Sequence, residues 1–92
     1  MSVTAPLFQP FTLGNMTLSN RIVMAPMTRN FSPDGVPTDD VRDYYQRRAQ
    51  AHVGLIVSEG TTVARDGASN DPRIPNFHKP DAMAGWKRVI DA

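Results

Sequence analysis

Two short, unbroken apolar runs, Ile22-Val23-Met24-Ala25 and Leu55-Ile56-Val57, stand on either side of a single helical pattern. A strand with one wet face alternates apolar and polar residues, whereas a strand covered on both faces reads as continuous apolar sequence. Residues 21–25 and 55–59 are therefore expected to form parallel strands, joined by a right-handed crossover. Pro26 ends the first run and Gly60 the second.

The intervening helix is expected to start after Thr38, a good N-cap, with Asp39 and Asp40 at the positive end of the helix dipole. Val41, Tyr44, Tyr45, Arg48 and Ala49 recur at helical spacing, the Arg48 stem lying along the same stripe, and Gly54 is the expected C′ residue. A second helix is expected from Pro80, with Asp81 in its first turn and an apolar stripe of Met83, Trp86, Val89 and Ile90. Upstream, Phe11-Thr12-Leu13 and Met16-Thr17-Leu18 flank Gly14-Asn15, both of which tolerate positive φ, and read as a hairpin. The long loop 61–80 holds Pro72, Pro75 and Pro80 and is of a length usually reserved for functional or covering segments. The order is hairpin, β, α, β, α. Two parallel strands cannot close a core, so the α/β chain reads as interrupted.

Composition narrows the function classes. A formal charge of +1, with only Arg47-Arg48 and Lys87-Arg88 as adjacent basic pairs, argues against a nucleic-acid surface. No apolar run approaches the roughly 18 residues of a membrane span. Residues 1–6 lack a basic region followed by an apolar core, so no secretory leader is expected. The absence of Cys excludes disulfides, thiolate catalysis and Cys-type zinc sites, and fits a cytoplasmic protein. The two histidines, His52 and His78, lack metal-pair spacing, and no metal site is expected.

Parallel α/β folds bind ligands at the carboxyl ends of their strands. Here those ends are Ala25, Pro26, Met27, Thr28 and Arg29 after the first strand, and Glu59, Gly60 and Thr61 after the second. A Thr hydroxyl and free backbone amides suit a heteroaromatic edge, and Gly60 would let a flat ligand approach closely. Spacing alone favours ordinary strand-to-loop transitions at these positions. Glu59 reads as a loop-anchoring carboxylate ahead of a general base, Tyr44, Tyr45 and Trp86 as core, and Arg47 and Arg48 as ion-pair partners.

Taken in order, the segments resemble the N-terminal part of the Old Yellow Enzyme family of FMN-dependent ene-reductases. The matching runs are Leu7-Phe8 with Pro10, and Leu18-Ser19-Asn20-Arg21-Ile22-Val23-Met24-Ala25-Pro26-Met27-Thr28-Arg29, then Asp34-Gly35-Val36-Pro37-Thr38. Tyr44-Tyr45-Gln46-Arg47-Arg48-Ala49, Gly54-Leu55-Ile56-Val57-Ser58-Glu59-Gly60-Thr61 and Gly85-Trp86-Lys87-Arg88-Val89-Ile90-Asp91-Ala92 complete the match. The resemblance implies a hairpin plus the first two βα units of a (β/α)8 TIM barrel, residues 1–92 being the N-terminal part of one FMN-binding domain. A whole barrel takes about 250 residues.

The resemblance also implies chemistry: FMN takes hydride from NAD(P)H and reduces the C=C bond of an α,β-unsaturated carbonyl compound. Ala25, Pro26, Met27 and Thr28 would line the flavin edge, and Gly60 would add a backbone contact. The family's substrate-anchoring pair, proton-donating Tyr and phosphate-gripping Arg residues come from later strands. No catalytic residue is therefore expected here, and Tyr44 and Tyr45 on the first helix are not proton donors. The implied partners are the remaining barrel segment, as a second chain, and a small activated alkene. The competing expectation is a non-enzymatic fragment that folds by self-association into a homo-oligomer, covering its open sheet edges.

Overall fold

The computed structural model describes residues 3–92; Met1 and Ser2, part of the leader reading, lie outside the described residues. A 3-10 turn, Ala5–Phe8, leads into the hairpin of β1, Phe11–Leu13, and β2, Met16–Leu18, with Phe11 opposite Leu18 and Leu13 opposite Met16. Of the two turn residues only Gly14 takes a positive φ, 61°, so the turn has the sign pattern of type II′. Strand β3, Val23–Met24, then pairs in parallel with β4, Leu55–Ile56, and α1, Asp39–Gln50, forms the crossover. Helix α2 runs Pro80–Asp91, starting at the Pro that its sequence marks. The hairpin, β, α, β, α order is as expected.

Burial on both faces of the strands is not. Val23 faces Leu55 and Met24 faces Ile56 across the ladder. Met24 and Ile56 pack against the helices, while Val23 is 51% exposed and Val57 is 41% exposed. Among the described residues the apolar run is covered by helices on one side only, Val23 and Val57 staying exposed on the other. The core is correspondingly small: Val41, Tyr44 and Tyr45 of α1 close on Trp86 of α2, with Met24, Ile56 and Val89 packed around them. On α2 the buried residues are Ala82, Gly85 and Trp86, whereas Met83 and Ile90 of the expected stripe face solvent.

Three local expectations are corrected. Thr38 occupies the N-cap of α1, but its hydroxyl donates to the Phe31 carbonyl at 3.0 Å and caps nothing. Helix α1 ends two residues earlier than its glycine suggests: Ala51 is the C-cap and His52 takes the left-handed C′ conformation, φ 67°. Gly54 is needed for close approach instead, since a Cβ there would fall 2.5 Å from Asn20 Oδ1 and 2.6 Å from the Asn20 carbonyl. Arg48 forms no ion pair among the described residues; its guanidinium lies 3.7 Å over the Tyr44 ring and donates to the Tyr44 carbonyl.

The radius of gyration is 15.5 Å, and the longest extent is 52 Å against 23 Å in the other two directions. A closed chain of this length would have a radius near about 12 Å. The hairpin projects from the βαβα unit, and the fold is open. Among the described residues no helix is long and apolar enough to cross a membrane.

Candidate functional site

The ends of β3 and β4 leave the sheet side by side, and two of the sequence-derived candidates meet there. The Gly60 amide donates to Thr28 Oγ1 at 3.2 Å, joining segments 32 residues apart in sequence. A hydroxyl has one proton to give and two lone pairs to receive. With Gly60 occupying an acceptor position, the Thr28 proton stays available for a group outside the chain. The Gly60 N–H is spent on Thr28, so a backbone contact from Gly60 to a ligand has to come from elsewhere than this amide. A Cβ at position 60 would lie 3.0 Å from Thr28 Oγ1, so glycine keeps this joint closed.

Ala25, Pro26, Met27, Thr28 and Gly60 are all exposed, with Met27 at 62%. They form an open ledge carrying an apolar thioether beside a hydroxyl donor, with no side chain at Gly60 to obstruct a flat ring. That donor set fits the edge of a flavin, apolar in its ring face and accepting at its carbonyl rim. The ledge is not a cavity. The larger hollow, about 550 Å³, lies under loop 62–79 and none of these five residues lines it. A groove of about 330 Å³ between α1 and α2 is lined by Tyr45, Ile56, Trp86 and Ile90 among others, on the opposite side of the sheet from Val23.

Behind the ledge sits a buried polar cluster that the sequence signals only in part. Glu59 is 4% exposed, and its Oε2 accepts from the Arg29 amide at 3.3 Å. Its own amide donates to the Tyr45 hydroxyl at 2.9 Å, and that hydroxyl reaches Glu59 Oε1 at 3.4 Å. Glu59 is thus a loop anchor, the role read ahead of general base. Tyr45 does more than fill the core. Burial pushes its phenol up to about 12, the Glu59 amide bond opposing and the adjacent Glu59 charge adding to the rise. Arg29 stacks its guanidinium 3.9 Å over Tyr44 and 4.6 Å over Phe31. A tyrosine on a helical stripe carries no sequence sign that its hydroxyl will reach a strand end. The neighbouring Glu59, polar at the end of an apolar run, was the available signal.

Comparison with known proteins bears on the same segments. The family model of the NADH:flavin oxidoreductase / NADH oxidase family matches residues 6–92. The chain is 39% identical over 88 residues to 12-oxophytodienoate reductase 7 of Oryza sativa subsp. japonica, covering 96% of this chain and 22% of that protein. Among solved structures, morphinone reductase in complex with tetrahydroNAD superposes with a TM-score of 0.83 at 39% identity, covering 92% of this chain and 23% of that one. The old yellow enzyme from Trypanosoma cruzi gives 0.79 at 29% identity, with 98% and 24% covered. The chain spans less than a quarter of the length of these relatives.

Proposed function

The chain belongs to the NADH:flavin oxidoreductase / NADH oxidase family, that of Old Yellow Enzyme, and from that premise we propose that it is the N-terminal part of an FMN-dependent ene-reductase. Its fold is the hairpin and first two βα units of a (β/α)8 barrel. Activity requires the remaining barrel, supplied as a second chain or by continuation of this one. The observation that carries the reading is the Thr28–Gly60 joint at the carboxyl ends of two parallel strands, where barrel enzymes place their chemistry.

The chemistry that bound FMN supplies is hydride relay, from NAD(P)H to the β-carbon of an alkene conjugated to a carbonyl. This chain's residues hold and tune. Thr28 offers its hydroxyl proton to the acceptor rim of the ring. Such a bond is stronger to a charged acceptor than to a neutral one, and therefore favours the reduced, anionic ring. Ala25, Pro26 and Met27 would meet the ring with an apolar edge. Gly60 leaves the approach clear. The nicotinamide donor is supported by the morphinone reductase complex with tetrahydroNAD. Cytoplasmic residence belongs to the same proposal, because NAD(P)H is regenerated there.

The test is a barrel in which this segment replaces the equivalent segment of morphinone reductase. A purified chimera that carries the yellow flavin absorbance and oxidises NAD(P)H in the presence of an α,β-unsaturated ketone supports the reading. A folded chimera that binds no FMN overturns it. One set of observations favours a second reading: Val23 and Val57 are exposed beside a two-stranded sheet with two open edges, and Met83 and Ile90 are exposed on α2. Self-association of the 92-residue chain would cover them. Sedimentation of that chain, with flavin absorbance recorded on the same boundary, separates the two readings.

A further inference from the structure

The two residues that would face a ligand are each tied down one position away, one by Glu59 at the end of β4 and the other by Tyr45 of α1. Residue 29, next to Thr28, gives its amide to the Glu59 carboxylate. Residue 59, next to Gly60, gives its amide to the Tyr45 hydroxyl. The Tyr45 hydroxyl and the Glu59 carboxylate also meet, so one closed set of bonds runs from the helix through both strand ends. The Arg29 guanidinium over Tyr44 adds a second fastening from the same helix. By contrast, the Thr28–Gly60 bond itself is exposed, and water competes for it.

We infer that Tyr45 and Glu59 are positioning residues, setting the spacing of the β3 and β4 ends and thereby the direction in which Thr28 offers its hydroxyl proton. The inference rests on the proposed flavin site and deepens it. Neither side chain is exposed on the ledge, since both are buried. Their effect passes through the backbone at residues 29 and 59. An exposed bond between two loops holds its geometry only when the loops are held by something else, and the buried set provides this. Helix α1 therefore does more than cover the sheet: through one phenol it fixes a contact at the far end of both strands.

Tyr45→Phe in the chimeric barrel is the direct test, because it keeps the ring in the core and deletes only the hydroxyl. Amide hydrogen exchange is read first, on the flavin-free barrel. The Glu59 and Gly60 amides are expected to exchange at least tenfold faster than in the unsubstituted protein, while amides in the middle of α2 keep their rates. The FMN dissociation constant and visible spectrum are read second, with weaker binding and a shifted band expected. Glu59→Gln, which keeps an acceptor for Arg29, is expected to fall between Tyr45→Phe and the unsubstituted barrel on both readouts. An unchanged Gly60 exchange rate in Tyr45→Phe, with a lowered melting temperature, makes Tyr45 a core residue only and overturns the inference. Accelerated Gly60 exchange in a barrel that never binds FMN sustains the positioning role and defeats the flavin reading, so the two failures are distinct.

Discussion

Gly54 provides the sharpest test of the packing, because two effects of opposite sign act on Gly54→Ala. Its φ is not in the left-handed region, so alanine can adopt the backbone there. On chain entropy alone the substitution would stabilise the protein by about 0.4–1 kcal/mol. The space is the obstacle. The new methyl would lie 2.5 Å from Asn20 Oδ1 and 2.6 Å from the Asn20 carbonyl, the second a backbone atom that cannot swing aside. Asn20 is itself fixed, donating to the His52 carbonyl at 2.6 Å and accepting from the Ile22 amide at 3.0 Å. Gly54 and Leu55 in turn donate to the Ile22 carbonyl at 3.0 and 3.2 Å, which sets the register of β3 on β4. Overpacking of this kind costs about 1–3 kcal/mol. Displacing Asn20 endangers two hydrogen bonds worth about 0.5–1.5 kcal/mol each. After the entropy gain, the net loss is roughly 1–5 kcal/mol. In a barrel that corresponds to a fall of about 2–20 °C in melting temperature. Denaturant and thermal unfolding of the chimeric barrel, followed by circular dichroism, measure it. A melting temperature that holds or rises would refute the account of Asn20 as a rigid neighbour.

Three further outcomes are expected. Thr28→Ala should lower the flavin midpoint potential, by about 30 mV for each 1.4 kcal/mol of differential stabilisation lost, and slow reduction by nicotinamide, with Thr28→Ser close to wild type; a redox titration showing an unchanged potential alongside lost stability would assign Thr28 to loop structure alone. The Tyr45 phenol is raised from 10.0 to about 12 in the folded chain, so its neutral form stabilises the fold fully below pH 10 and that contribution is lost as pH rises from about 10 to about 12; stability against pH should decline in that window and the decline should be smaller in Tyr45→Phe. Ile90 is 77% exposed in this chain, so Ile90→Lys should change the stability of the isolated fragment by less than about 0.5 kcal/mol, yet destabilise a completed barrel by about 1.5–3 kcal/mol if a neighbouring element covers it; equal effects in both would show that α2 stays bare.

The sequence marked those features whose cause is local. Gly14-Asn15 between two alternating triplets is a hairpin signal that needs no tertiary context, and Pro80 has no amide to lose at the first position of α2. Thr38 misled because its side chain is turned to donate to the Phe31 carbonyl, and in that orientation its oxygen accepts from no helix amide. Gly54 misled for the converse reason. It looks like a helix terminator, yet its glycine is demanded by Asn20, which precedes β3, while His52 bears the left-handed conformation at the true end of α1. The strand-end rule brought Thr28 and Gly60 into one candidate site, and the structure joins them by a hydrogen bond. Tyr45 stayed hidden because its apolar body satisfies the helical stripe completely. Only the tertiary placement of Glu59 gives its hydroxyl a second task.

What the described residues lack is apolar cover and strand partners, whereas their buried polar side chains are nearly all satisfied without help. Buried Asn20, Glu59 and Asn76 all have partners, Asn76 accepting from His78 and Lys79 through its side chain and from the Trp86 indole through its carbonyl. Among the described residues, Ser32 Oγ is the one buried side-chain polar atom without a partner. An unpaired polar group in an interior costs far more than an apolar residue left in water. The exposed residues are of the second, cheaper kind: Val23 and Val57 on the bare side of the sheet, Met27 at its tip, Met83 and Ile90 on α2. A completing partner therefore has the open backbone edges of β3 and β4 to pair, few buried side-chain polar groups to satisfy, and otherwise apolar surface to bury. Association of that kind is driven by area removed from water, so the α1–α2 core, the Asn20 lock and the Glu59 cluster can stand ready before the rest of a barrel closes over them.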